Sequence, residues 1–594
     1  MKQFLLTMAG VFAGLMIFLI GVPFLLIVMA AGATRPAAIP AHSVLELDLR
    51  EDLSDQDAQN PLAAFTGGQL SVMGIVEALR YAETDNNVAA VFVRLPEGGI
   101  APASADELRE AFRHFQRVGK KPIWAHSQGL YPSGMITSTY MLGASASQFW
   151  MQPEASFQAT GLTSSEVFLK RAFDKYGVKA DYEQRYEYKN AVNPYLYSDY
   201  TPAHREATLS WMGSVYRTNV ATAAADRRQD PAAFAKVIEA GPYSAEQARA
   251  AGLIDKVGQV REAEAALKKA VGSDNEMIDF HDYRAHVKRE RGSLLDGAAI
   301  AVVGAEGPIQ TGKDEASNPF AGGQTIWSDD VSDAIYDAID DDEVKAIVLR
   351  VSSPGGSDTA SEQILAAVRA AKAANKPVVV SMGTYAASGG YWISSQASEI
   401  VAQPTTLTGS IGVFGGKLVL GDALARFGVD VRDVTVGGSY SDAFTTDSEF
   451  TPQQRAAFSG WMDHIYAGFI SRVSEGRKLP PARVREIAKG RVWTGAQARS
   501  LGLVDHLGGF YDAVDRAKAL AGLKGDVRLK HMRSTASPFE VLERALGVSS
   551  TSIRTLAASA WLLGDPRAEA VMDELARTRL GSRGATVLAP TPVG

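Results

Sequence analysis

Hydrophobic and polar positions alternate across residues 44–49 (VLELDL) in the manner of a half-buried strand. Residues 88–95 (VAAVFVRL) form a nearly unbroken apolar run, the pattern of a strand covered on both faces. A Pro-Glu-Gly-Gly turn follows. Ser104-Ala-Asp-Glu107 then reads as a capping box, opening a helix with Leu108, Phe112 and Phe115 on one face. Lys121-Pro122 introduces the next strand. Strand, glycine turn, helix and strand make a βαβ unit, which predicts a parallel sheet.

The same order returns. Residues 344–351 (VKAIVLRV) are the strand, Pro354-Gly355-Gly356 the turn, residues 360–373 the helix, and Lys376-Pro377 the start of the next strand. Val88 and Val344 differ by 256 in number, as do Arg94 and Arg350. Thr201, Pro202, Arg205, Trp211, Met212 and Tyr216 match Thr451, Pro452, Arg455, Trp461, Met462 and Tyr466, each 250 apart. Gly252, Leu253, Asp255 and Gly258 match Gly502, Leu503, Asp505 and Gly508 at the same offset. Chance does not keep one offset across so many Trp, Pro, Gly and Asp positions. The body therefore reads as two copies of one α/β domain, 41–290 and 297–525.

Either end carries a different pattern. Residues 4–33 contain no charge, with Lys2 before them and Arg35 after. A bilayer core needs about 20 apolar residues, so residues 1–33 are expected to be a transmembrane anchor. A cleaved signal peptide is the competing reading, since Ala30–Ala33 could host the cleavage, but its apolar core is usually about 7–15 residues. Lys2 and the free amine place the N-terminus in the cytoplasm and everything after Arg35 across the membrane. Residues 34–40 (TRPAAIP) make a linker. Past 525, Ser537-Pro538-Phe539-Glu540 starts a helix, so 526–594 is expected to be a helical extension with a loose tail.

Composition narrows the chemistry. A net charge of −7 over 594 residues, with no long basic run, argues against nucleic acid as a partner. The absence of cysteine excludes disulfides, a thiol nucleophile and thiolate metal sites. No HExxH or clustered ligand spacing occurs, so neither a metal nor another cofactor is expected.

The copies differ where chemistry could reside. The second carries Ala387-Ser388-Gly389-Gly390 between an apolar strand and a helix, a turn that presents a serine hydroxyl and leaves backbone N–H groups approachable. The first offers Ser133 or Thr137 there, depending on the alignment, and lacks a counterpart of Thr408-Gly409-Ser410-Ile411-Gly412. Conversely, Lys189 of the first copy falls opposite Ser439 or Tyr440, and residues 437–450 contain no Lys or Arg. A serine nucleophile needs a base. His464 and His506 follow Ser388 but belong to no evident triad. A lysine can serve if burial lowers its pKa, and Tyr186, Tyr188, Val192, Pro194 and Tyr195 around Lys189 could supply that burial.

SSPGGSDTASE (352–362), YAASGGYWIS (385–394), TLTGSIGVFG (406–415) and GRVWTGAQARSLGLVDHLGGFYDAV (490–514) together resemble the long, tandem-repeat form of the signal peptide peptidase A family. The resemblance extends from the anchor to about Leu523. It implies a crotonase and Clp-protease-like fold and a membrane-anchored serine peptidase with a Ser/Lys dyad. Ser388 would be the nucleophile and Lys189 the base, although Asn190 stands where the family's Tyr-Lys-Ser-Ala segment has serine. Gly355 or Gly356, with Gly389, would supply the oxyanion hole. The family implies a homotetrameric ring on the periplasmic face of the bacterial inner membrane, anchored in lipid, cutting short hydrophobic peptides such as cleaved signal peptides. A catalytically inactive ring or scaffold of the same fold is the alternative. Acyl-CoA chemistry on the related fold sits poorly with an export segment.

Overall fold

The computed structural model describes residues 39–57, 70–293, 297–314, 324–525, 527–532 and 587–588. The first copy sets out β1 (Ser43–Asp48), α1 (Val72–Ala82), β2 (Val88–Leu95), α2 (Pro102–His114), β3 (Ile123–Ser127), α3 (Ile136–Ala144) and β4 (Gln148–Met151). It continues with β5 (Lys179–Arg185), α4 (Pro202–Asp226), β6 (Lys256–Val257) and β7 (Glu276–Asp279). Its sheet is parallel throughout, in the order β6-β4-β3-β2-β1-β7. Helices cover both faces, which is why β2 is apolar along nearly its whole length and β3 is buried throughout.

The second copy repeats the scheme. It contains β8 (Ala299–Glu306), α5 (Ser328–Asp340), β9 (Val344–Ser353), α6 (Asp358–Ala373), β10 (Val378–Ala387), α7 (Gly389–Ser394) and β11 (Glu399–Ala402). Then come β12 (Leu407–Gly409), β13 (Val413–Val419), α8 (Pro452–Arg477), β14 (Val492–Thr494), β15 (His506–Leu507), α9 (Phe510–Leu520) and β16 (Arg528–Met532). The strands β15-β11-β10-β9-β8-β16 reproduce the parallel order of the first sheet. A branch extends the likeness. β12 pairs with the C-terminal end of β10, and β14 runs antiparallel beside β12. The first copy keeps a shorter counterpart that its sequence did not reveal: Ser156–Phe157 pairs antiparallel with Tyr243–Ser244, and Phe157 bridges Leu130. The branch stands at the strand ends where open α/β sheets bind ligands.

Two expectations need correction. The helix after β2 does not begin with a capping box at Ser104. It starts at Pro102, whose fixed φ suits the first helical turn, and Ala101 caps it without a side-chain bond. Glu107 is free for another role. The described residues past 525 are strands, not helix: alternation through Val527 and Leu529 lets β16 extend the second sheet beside β8, and Val587–Leu588 is a short strand. The rest of that extension, and the proposed anchor, lie outside the described residues. Among the described residues no helix is long and apolar enough to cross a membrane.

The copies meet through acids on α2. Buried Arg350 donates to Asp55 at 2.6 and 2.9 Å, to Glu107 at 2.7 Å and to Ser381 Oγ at 2.9 Å. Glu107 also accepts from the Phe510 N–H at 2.6 Å, and Asp106 accepts from Thr405 Oγ1 at 2.7 Å. Removing one partner of such a buried pair typically costs about 3–5 kcal/mol, because the other charge is stranded.

Glu110, one turn on, gives a pH prediction. Burial and the neighbouring Asp512 carboxyl raise its pKa from 4.5 to about 8. Between those values the folded chain keeps a proton that the unfolded chain has released, so stability from this group falls as pH rises through the window. Glu110→Gln should therefore raise the unfolding temperature more at pH 8 than at pH 5. An equal difference at both would contradict the raised pKa.

Candidate active site

Ser388 stands alone between β10 and α7, with φ 57° and ψ −115°. That left-handed conformation is costly for a side chain bearing Cβ, about 1–3 kcal/mol, and persists only where surrounding contacts impose it. Here the Ser388 N–H donates to Gly409 O at 2.8 Å, on the branch strand β12, and Ser388 O accepts from Trp392 N at 2.9 Å. Glycine is required next. A Cβ on Gly389 would stand 2.8 Å from Ser361 Oγ and 3.0 Å from both Gly355 Cα and Gly356 N. The two glycine turns picked out by sequence are therefore in contact, with the serine between strand and helix.

Lys189 arrives from the other copy. β5 pairs antiparallel with β13, from Lys179↔Val419 to Arg185↔Val413, and lays an arm of the first copy across the second. Tyr188 N then donates to Lys489 O at 3.2 Å. At Gly490 (φ +80°) a Cβ would lie 2.5 Å from Lys189 Cβ, so the arm docks only on glycine. Lys189 Nζ lies 2.8 Å from Ser388 Oγ, and 3.0 Å from both the carbonyl oxygen and Oγ of Ser410. Lys189, Ser388 and Ser410 have no exposed surface. Burial holds the lysine pKa well below its ordinary 10.5, with no charged neighbour contributing.

The source of that burial differs from the expectation. Tyr186 is 49% exposed and packs edge-on against Tyr466, while Tyr195 stacks on Phe173 and Tyr182. Residues of the second copy close over it, Ser388 and Ser410 at the amine and Gly490 against the Lys189 backbone and Cβ. Asn190 is engaged elsewhere: its Oδ1 accepts from Asn193 Nδ2 at 3.2 Å, and the hydroxyl beside Nζ, apart from Ser388, is that of Ser410.

Ser410 was not among the residues picked out as candidates, though it lies inside a quoted motif. The first copy has Ala159 opposite it, two residues past Phe157 as Ser410 is two past Thr408, so the hydroxyl belongs to the second copy alone. What concealed it was conformation. Ser410 reaches Nζ with φ 50° and with its own N–H held by Arg491 O at 2.7 Å.

The other candidates fall elsewhere. His464 is exposed, and His506 Nε2 lies 3.3 Å from Glu399. Tyr140 OH donates to Leu253 O as Tyr391 OH does to Leu503 O, at 3.0 and 2.8 Å. That equivalence makes Thr137, not Ser133, the counterpart of Ser388. Thr137 lies inside α3 and accepts from Asn219 Nδ2 at 3.1 Å.

Peptidase family S49 matches residues 116–274 and 370–524, one stretch in each copy. Protease 4 of Salmonella typhi is 35% identical, over 82% of this chain and 79% of its own length. The chain belongs to peptidase family S49. Protease 4 of Haemophilus influenzae is 29% identical, covering 88% of this chain and 86% of its own. The chloroplastic serine protease SPPA of Arabidopsis thaliana is 28% identical over 81% and 69%. The S49 chain described here is a serine protease built from two S49 repeats.

Proposed function

We propose that this S49 protease is a membrane-anchored endopeptidase of the signal peptide peptidase type, degrading short hydrophobic peptides such as cleaved signal peptides. Ser388 is the nucleophile and Lys189 the general base. The observation carrying this reading is the 2.8 Å approach of Lys189 Nζ to Ser388 Oγ in a site without exposed surface. A neutral amine has one lone pair and two N–H groups. The three contacts at Nζ match that inventory: Ser388 O–H donates to the lone pair, and the N–H groups donate to Ser410 O and Oγ.

In the reaction Ser388 Oγ attacks the scissile carbonyl as its proton passes to Nζ. The ammonium so formed holds Ser410 with two N–H groups and offers the third to the departing amine. Collapse breaks the C–N bond and leaves an acyl ester on Ser388, which water hydrolyses with Lys189 again as base. For the oxyanion, Gly389 and Gly356 are the better donors, because the Gly355 N–H already donates to Ser353 Oγ at 3.1 Å. Each preorganised donor is worth about 3–4 kcal/mol.

By this reading residues 1–33 anchor the chain in lipid, 34–40 link, 41–290 bring the base, 297–525 bring the nucleophile, and 526–594 form an extension. The body lies on the periplasmic side of a bacterial inner membrane as a homotetramer. Hydrolysis of an uncharged apolar peptide by the purified full chain tests it; no turnover would favour the scaffold reading. Ser410→Ala should lower kcat a few-fold and leave KM unchanged, since one hydrogen bond contributes about 1 kcal/mol. A changed KM with intact kcat would remove Ser410 from the base.

A further inference from the structure

The motif that begins Gly490-Arg491-Val492-Trp493 holds more than the glycine against Lys189. Its backbone runs along the branch: Gly490 N donates to Ile411 O at 2.8 Å, Arg491 O accepts from Ser410 N at 2.7 Å, and Val492 pairs with Gly409. The Arg491 side chain meets the arm. Its guanidinium carbon lies 4.9 Å from the centre of the Tyr188 ring, one residue before Lys189, and 4.4 Å from that of the Trp493 ring. Both terminal nitrogens donate at 2.7 Å to the Glu206 carboxylate on α4. That helix is also fastened to β14, with Ser214 Oγ 2.9 Å from Thr494 Oγ1. Other charges line the same hollow. Arg483 pairs with Glu486 at 2.8 Å. Lys489 meets Glu187 of the arm at 2.9 Å, but with side chains 42% and 45% exposed that contact contributes little.

We infer that Arg491 is a positioning residue for the base, holding the Tyr188–Lys189 arm over Ser410 through its flat guanidinium. The inference rests on reading Lys189 as that base. One residue grips both sides of the amine's setting, Ser410 by its carbonyl and the arm by its side chain. A guanidinium can lie over aromatic rings and present two parallel N–H groups to a carboxylate at once; an ammonium cannot. The Arg491 side chain is 14% exposed and that of Glu206 52%, so their ion pair adds little stability and serves to aim the plane. Aim matters because burial alone keeps Nζ neutral. A loosely held arm admits water, and water restores the charged amine. Grip, not the charge of Arg491, is what the base needs.

The test is a set of pH–rate profiles for the full chain on an uncharged apolar peptide. Arg491→Lys and Arg491→Met should both displace the basic limb of kcat/KM to higher pH. Activity at pH 7 should fall about ten-fold and recover as pH approaches 10, because a wetter amine gives up its proton later. Adding Tyr188→Leu to Arg491→Lys should displace the limb no further, since residues acting through one contact are not additive. Rescue by lysine would make the charge the cause and overturn the inference. So would a loss by the same factor at every pH, which marks a merely structural role. Glu206→Gln changes an exposed side chain and should displace the limb in the same direction by less. Should the Arg491 variants fail to fold, an unmoved limb in Glu206→Gln overturns the inference instead. The two readings fail differently. A limb that survives Lys189→Met sinks the dyad and this inference with it. A limb that Lys189→Met removes and Arg491→Lys leaves in place sinks this inference alone.

Discussion

Ser388→Ala should reduce kcat on an apolar peptide by roughly five to six orders of magnitude, the loss seen when a serine nucleophile is deleted from a preorganised site. Ser133→Ala and Thr137→Ala should stay within about three-fold of the parent. The contrast follows from the two turns. Ser388 has glycine after it, a left-handed backbone and a buried amine 2.8 Å from its hydroxyl. Thr137, its counterpart, is drawn into α3 and tied to Asn219, and Ser133 lies on the preceding loop. Thr137→Ala costs a buried hydrogen bond, about 1 kcal/mol of stability, and no chemistry. Residual turnover in Ser388→Ala should track the oxyanion donors alone. A Ser133→Ala chain as inactive as Ser388→Ala would overturn the assignment of the nucleophile to the second copy.

Which parts of this arrangement were legible follows from what each depends on. Strand and helix order depends on apolar periodicity, and the two parallel sheets appear where residues 88–95 and 344–351 predicted strands. The doubling depends on shared offsets, visible through Trp, Pro and Gly. The proposed nucleophile is local: a serine between a strand and two glycines, in one copy only. The proposed base depends on pairing between distant segments. Nothing in residues 179–185 announces that they pair with 413–419, yet that ladder brings Lys189 to Ser388 within one chain.

Glu107 shows the same limit from the other side. Its spacing from Ser104 mimics a helix cap, but Pro102 starts the helix earlier and the carboxylate instead accepts from Arg350 and the Phe510 N–H, both in the other copy. Arg94 and Arg350 are equivalent by number, and sequence assigns neither a partner. Arg350 is buried against Asp55 and Glu107, while Arg94 bonds Gln128. Repeat symmetry predicts elements; the asymmetric contacts between copies decide roles.

Lys189→Met should abolish hydrolysis and stabilise the folded chain near neutral pH, and both effects come from the same burial. A solvated lysine has a pKa of about 10.4 and is almost wholly charged at pH 7. In the folded chain the amine lies without exposed surface and without a carboxylate to balance it, so the neutral form is favoured. The folded pKa then lies below the unfolded one, and between the two the unfolded chain binds more protons. Stability attributable to this lysine therefore rises with pH across that interval and levels off above the unfolded value. Each pKa unit of depression corresponds to about 1.4 kcal/mol. Methionine fills similar volume and carries no proton, so the variant should unfold at higher temperature than the parent near neutrality, with the gap closing as pH approaches 10. The parent's kcat/KM should rise with pH along one basic limb as Nζ loses its proton, and that limb should vanish with activity in the variant. Thermal unfolding from pH 6 to 10, beside a pH–rate profile, measures both. If the limb survives Lys189→Met, the base is another group; if the stability gap is the same at every pH, the amine is not the neutral, buried group that the chemistry requires.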